Sequence, residues 1–175
     1  MKLIIVDFDH TISNTRKFQE LLMDKFSITN KTEFHDKLHG LHVLHETDEV
    51  RSMLPEIRFK GVTDFLEDMD NYFDVKILLT KSNYYLDWQE KNIEHAGLDQ
   101  YFDEIIITTD KKKYVIRDIF EKYPETEITL INDIYSHEPE NQIIKQEFPR
   151  VNVVSIDHYS GEGTTVQDFH NSLKR

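Results

Sequence analysis

Residues 2–12 read KLIIVDFDHTI, and the fold turns on this stretch. Lys2–Val6 is a short, β-branched, continuously apolar run that ends abruptly in acid. Runs of that length and composition suit strands buried on both faces, the habit of parallel sheets. Asp7 and Asp9 follow at once, one residue apart. In open α/β sheets ligands bind just beyond the carboxyl ends of the strands. Two carboxylates at such an edge cannot both be buried and ionised without a compensating cation. Taken alone, the same acids also read as an exposed turn after a strand.

Outward from this stretch the same pattern recurs. Val75–Thr80, Glu104–Thr108, Glu127–Ile131 and Val151–Ile156 are further strand candidates, and the segments between them have helical spacing. Val62, Phe65, Leu66 and Met69 form one apolar stripe. Tyr85, Trp88, Ile93 and Ala96 form another, which Gly97 ends as the residue after the cap. Val115, Ile116, Ile119, Phe120 and Tyr123 form a third, stopped by Pro124. Pro139 suits the first turn of a helix running to about Phe148, and Thr164–Leu173 reads as a terminal helix. Strands alternating with helices predict right-handed βαβ units and a parallel sheet, an α/β fold. One stretch breaks the alternation. Between the first two strands lies far more helical pattern than a crossover needs. Gly61–Asp70 suffices for the crossover, so residues 13–59 (Ser13–Phe59) read as a helical insertion into a core of residues 1–12 and 60–175.

The chain has 175 residues, 33 Asp plus Glu against 21 Lys plus Arg, and a formal net charge of −12. Such an excess repels phosphate backbones and anionic membranes, so neither a nucleic-acid polymer nor a membrane is an expected partner. A local basic pocket for one small anion remains compatible. With no cysteine, thiolate catalysis, disulfides and zinc–thiolate sites are excluded. The N-terminal apolar run is too short for a signal-peptide core, and no segment approaches the roughly 18 apolar residues of a membrane span. The expected location is cytoplasmic.

The carboxyl ends of the other strands carry chemistry of one kind. The second ends in Thr80-Lys81-Ser82-Asn83, and the helix after the third opens with Lys111-Lys112-Lys113. The fourth runs into Asn132-Asp133, with Glu138 beyond. A parallel sheet brings these ends to one rim. Carboxylates suit a hard cation such as Mg²⁺, and lysine plus hydroxyl suit phosphoryl oxygens.

In these four motifs and their order, the chain resembles the haloacid dehalogenase (HAD)-like superfamily in its phosphatase branch. IIVDFDHTI matches that family's DxDxT strand end, KILLT its strand ending in Thr, a lysine before an amphipathic helix its third motif, and TLINDIYSHE its acidic fourth. HAGLDQYFDEII is similar to the family's usual segment before the third motif. The resemblance implies a three-layer α/β/α Rossmann-like fold with strand order 3-2-1-4-5, and a small C1-type helical cap in the insertion. It implies Asp7 as nucleophile of an aspartyl-phosphate and Asp9 as general acid and base. Thr80, Lys81 and Lys112 would hold the phosphoryl group of a small phosphorylated metabolite. Asp7, Asp133 and the Asp9 carbonyl would bind Mg²⁺. An acid at Asp9 favours phosphate esters over carbon–halogen bonds, because halide leaves without a proton. The same intermediate also serves a phosphotransferase or mutase, and a phosphoacceptor or binding module without turnover belongs to another class.

Several residues keep two readings. His10 replaces the family's common glycine, and either touches a leaving group or packs at the rim. Asn132 replaces an Asp or Gly, as an outer metal contact or a turn former. Lys112 lies on the sheet-facing side of its helix stripe, with Lys113 as the alternative. Glu138 either fixes the fourth-motif loop or a metal-bound water, or is a surface acid. His35, His39, His42 and His45 recur at helical spacing and read as a solvated face or a transition-metal stripe, interrupted by Gly40. Tyr84, Tyr85 and Trp88 read as packing or as a stacking patch.

Overall fold

The structure, a computed structural model, describes every residue of the chain except Tyr84 and Ser136. Among the described residues the elements run β1 (Lys2–Val6), α1 (Thr15–Lys25), α2 (Lys31–Leu41), α3 (Glu46–Arg51), α4 (Val62–Asp68) and β2 (Val75–Lys81). They continue through α5 (Leu86–His95), β3 (Glu104–Thr108), α6 (Lys112–Lys122), β4 (Glu127–Asp133), α7 (Glu138–Glu147), β5 (Val151–Ile156) and α8 (Val166–Leu173). The five strands form one parallel sheet in the order β3-β2-β1-β4-β5. Fold class and strand order are those expected.

The alternation of side chains along each strand sorts the core into two layers. Ile4, Val6, Leu78, Ile131 and Ile156 pack with Phe65 of α4, Trp88 and Ile93 of α5 and Phe169 of α8. Leu3, Ile5, Ile77, Leu79, Ile128 and Leu130 pack on the other side with Ile116 and Ile119 of α6 and Ile144 of α7. The sheet is therefore covered on both faces, which is why its strands read as unbroken apolar runs. The first layer continues without interruption into Phe18 and Leu22 of α1, Phe34 and Leu38 of α2, and Val50 of α3.

Two strands outrun their apolar stretches. β2 includes Lys81, paired with Thr108, and β4 includes Asn132 and Asp133, paired with Ser155 and Ile156. Backbone pairing continues where hydrophobicity stops, because the neighbouring strand still offers its ladder groups. Helix starts shift for the same kind of reason. Tyr85 is the N-cap of α5 and not part of it. Thr165 caps α8 through a capping box with Asp168. α7 opens at Glu138 with Pro139 next, and Gly97 follows the cap of α5 at φ +63°. α2 runs through Gly40 and stops one residue later.

Gly61 is the N-cap of α4 at φ +78°, and a Cβ there would lie 2.7 Å from Cβ of Gln167 on α8. Gly40 is helical with nothing within 4 Å of its Cβ position. Opposite responses to one substitution are expected. Gly61→Ala should lower unfolding stability by about 1–3 kcal/mol. Gly40→Ala should raise it by about 0.5–1 kcal/mol. Urea melts of the two variants beside the parent check both signs.

Candidate active site

The alternation that builds the core also aims the polar residues at the carboxyl edge. Asp7 lies in register with Leu3 and Ile5, on the side covered by α6, and its amide donates to the Ile131 carbonyl at 3.0 Å. Lys112 opens α6 directly above it. Its ammonium donates to Asp7 Oδ1 at 2.5 Å and to Asn132 Oδ1 at 2.9 Å, and the side chain is fully buried. Lys113 turns away to Glu147, 2.8 Å distant. Thr11 donates its hydroxyl to Asp7 Oδ2 at 3.3 Å.

Asn132 is a neutral acceptor within a buried relay. Its amide donates to Asn141 Oδ1 at 2.7 Å, and Asn141 in turn donates to the Asp133 carbonyl at 3.2 Å. It contacts Lys112 and Asn141, so it positions the lysine. Asp7, Asp133 and His137 bring their ligand atoms within 4.8 Å of one another. His137 stands 3.8 Å from Asp133 Oδ2 and, by its other ring nitrogen, 3.5 Å from Glu140. Burial works against the Glu140 charge, but the bond from His137 and the charge of Lys112 outweigh it and hold its carboxyl below the usual range. Asp7 and Asp133 are both almost wholly buried. Two buried carboxylates beside one ammonium leave negative charge that a hard divalent cation suits. The donor set therefore fits Mg²⁺, with an imidazole nitrogen close by.

Asp9 is half-buried in the wall of a cavity of about 400 Å³. Its Oδ1 accepts from the Thr15 hydroxyl at 2.8 Å and its Oδ2 from the Gln89 amide at 2.7 Å. The same Gln89 nitrogen donates to Thr80 Oγ1 at 2.9 Å. One amide thus spans two strand ends. Burial and the nearby Asp7 charge push the Asp9 carboxyl above its usual range, against the bonds from Thr15 and Gln89 and the charge of Lys112. Thr80 is buried and Lys81 lines the cavity.

His10 is buried at φ +59°, a backbone region glycine enters freely and His only with strain. Its Nδ1 lies 2.8 Å from the Tyr159 hydroxyl, and its ring sits 4.7 Å from that of Tyr135. Burial pushes the imidazole down to about 4, with Arg16, His137 and Lys31 acting in the same direction and Asp7 opposing. It packs at the rim and lines the cavity. Glu138 accepts from Gln142 at 2.6 Å and lies outside the carboxylate cluster.

The histidine stripe does not assemble. His35 lines the cavity, whereas His39 and His42 pack against Tyr85, the latter stacked at 4.0 Å. Among the described residues Asp7, Asp133 and His137 form the one group of three or more metal-ligating side chains. Trp88 lies under the Arg51 guanidinium at 4.3 Å and lines the cavity. Tyr84 lies outside the described residues.

Sequence reasoning passed over Thr15, Gln89, His137, Arg16 and Tyr159. His137 was within reach of it, four residues after Asp133 in the quoted TLINDIYSHE. Thr15 lies six residues from Asp9, whereas Gln89, Arg16 and Tyr159 act on residues far away in the chain and leave no local signal.

Neither a protein-family profile nor a curated protein matches the sequence. Solved structures do match. A candidate HAD-like hydrolase from Burkholderia xenovorans LB400 superposes with TM-score 0.65 at 13% identity, over 98% of this chain and 94% of that one. The chain has the HAD-like hydrolase fold. The magnesium-bound candidate HAD-hydrolase YfnB from Bacillus subtilis gives 0.62 at 14% identity, over 99% of both chains. A candidate β-phosphoglucomutase from Thermotoga maritima gives 0.60 at 14%, again over 99% of both. The HAD-like core is therefore what carries this edge of side chains.

The Gln89 bridge is testable by stability alone. Gln89→Leu strands Asp9 Oδ2 and should cost about 1–3 kcal/mol. Gln89→Glu sets a second carboxylate against Asp9 and should cost more at pH 7 than Gln89→Leu. Chemical denaturation of both variants gives the order.

Proposed function

We propose that the protein is a Mg²⁺-dependent phosphatase of small phosphomonoesters, working through an aspartyl-phosphate on Asp7. The observation that supports it best is the buried Asp7 carboxylate, with Lys112 at 2.5 Å on one side and Asp133 and His137 on the other. A carboxylate nucleophile facing an anionic phosphate needs positive charge between them. Asp7, Asp133 and the Asp9 main-chain carbonyl would hold Mg²⁺, whose contribution is to neutralise oxygen charge and keep Asp7 ionised. The magnesium in the Bacillus relative of the same fold is in keeping with this.

An Asp7 carboxylate oxygen attacks phosphorus, and the ester P–O bond breaks. The leaving oxygen takes the Asp9 proton. Water then attacks the phosphorus of the aspartyl-phosphate and gives its proton to Asp9, while Asp7 leaves as a carboxylate. A raised Asp9 carboxyl suits the first half of that cycle. Thr80, whose oxygen already accepts from Gln89, keeps its own proton to donate to a phosphoryl oxygen. Lys112 and Lys81 supply charge to the same group.

Residues 13–59 complete this reading as a helical lid. α1 and α2 bring Phe18, Phe34 and Leu38 to the lining of the cavity that Trp88 and Gln89 also line. A lid that shields the first transfer from water and later admits it suits a two-step hydrolysis. The lid would also set substrate choice. A cytoplasmic setting, a small-metabolite substrate and no nucleic-acid or membrane partner belong to the same proposal. No described helix is long and apolar enough to cross a membrane.

Purified protein with Mg²⁺ should release inorganic phosphate from phosphomonoesters in the absence of any acceptor. Chelation should stop it. Asp7→Asn should abolish release, and Asp9→Asn should slow it by about 10²–10⁴-fold. Consumption of the ester only when an acceptor alcohol is present, with the phosphoryl group found on that alcohol and no inorganic phosphate released, would favour the transferase reading. Absence of both phosphate release and acceptor phosphorylation with every ester would overturn both.

A further inference from the structure

The cavity wall reverses the charge of the protein. Carboxylates outnumber ammonium and guanidinium groups 33 to 21 in the chain. Yet Asp9 is the one acid lining the cavity, against Arg16, Lys31 and Lys81. Lys76, Lys113 and Lys122 elsewhere pair with acids. Among the described residues Arg16, Lys31 and Lys81 form no ion pair with a carboxylate. Lys81 adjoins Thr80 and belongs to the reacting phosphoryl group in the reading above. Arg16 and Lys31 come from α1 and α2, on the other wall.

Arg16 is held ready. Its guanidinium lies 4.2 Å from the ring centre of Tyr135 and 3.8 Å from that of Tyr159. Tyr159 is in turn fixed by His10. The Arg16 Nε is buried with no hydrogen-bond partner. A guanidinium stacked between rings keeps its N–H edge for a planar or tetrahedral anion and loses little freedom on binding one. Arg16 and Lys31 both line the same cavity, as does His10. The same cavity has an apolar part of its lining, which includes Phe18, Phe34 and Trp88.

We propose that the substrate carries a second anionic group, a carboxylate or a second phosphate, bound by Arg16 and Lys31 beyond an apolar or aromatic middle that lies against Phe18, Phe34 and Trp88. This rests on the phosphatase reading and names the class of ester within it. One phosphate alone does not account for the arrangement, because Lys112, Lys81 and Thr80 already serve it from the sheet side.

Three aryl esters with nearly matched leaving groups test it: para-carboxymethylphenyl phosphate, its uncharged carbamoylmethyl amide, and para-phosphonomethylphenyl phosphate, whose second anion is not cleaved. The wild-type protein should show kcat/KM higher by about ten- to a hundredfold for an anionic ester than for the amide, the worth of a charge-assisted bond. The difference should lie mainly in KM. Whether the carboxylate or the phosphonate ester leads identifies which anion the site takes. Arg16→Gln and Lys31→Met should each bring the ratio of anionic ester to amide towards one. Lys31 is exposed, so its variant keeps the test available should Arg16→Gln not fold. Equal kcat/KM for all three esters in the wild type, or a ratio unmoved in the folded variants, overturns the second-anion site while leaving the phosphatase standing. Release of phosphate from none of them overturns the phosphatase reading and this one together.

Discussion

The Lys112–Asp7 pair is the contact on which the site depends. It joins the first residue beyond β1 to the first residue of α6, fully out of water. A buried ion pair costs desolvation that its own attraction barely offsets, so stability alone is a poor reason to keep one. What it does is fix an anionic carboxylate at the open edge of a sheet with one cation on one side. The remaining negative charge of Asp7 and Asp133 suits a hard divalent cation. Asn132 and Asn141 serve the same end. They hold the lysine without adding a further charge, as an Asp at position 132 would.

Around that pair the site divides by sheet face. Asp7, Asn132 and Lys112 lie on the α6–α7 side. Thr80 lies in register with Leu78 on the α5 side, where Gln89 meets it. Asp9 is held by Thr15 at the start of α1 and by Gln89 of α5. The group read as general acid is thus positioned from two separate helices.

The aromatic cluster of His10, Tyr135, Tyr159 and Arg16 gives the strained His10 a reason. Glycine would reach φ +59° without cost, but it could not touch Tyr159. The imidazole holds the tyrosine, and the tyrosine holds the guanidinium. Backbone strain of about 1–3 kcal/mol at one residue is offset by packing among its neighbours.

Residues 2–12 and the four strand runs after them determined the sheet, because a strand buried on both faces must be apolar throughout. Helix spacing determined which side of α6 faces the sheet, and with it the choice of Lys112 over Lys113. DxDxT and three further strand-end motifs were legible because polar side chains begin where the apolar runs stop. Gln89 and Tyr159 were not, since a residue that acts on one 80 or 149 positions away leaves no period in the chain. The scattering of the histidine stripe was likewise decided by packing, which turned His39 and His42 onto Tyr85. Local pattern reports what a residue must hide from water, whereas which polar atoms meet is set only when separate strand ends are brought to one edge.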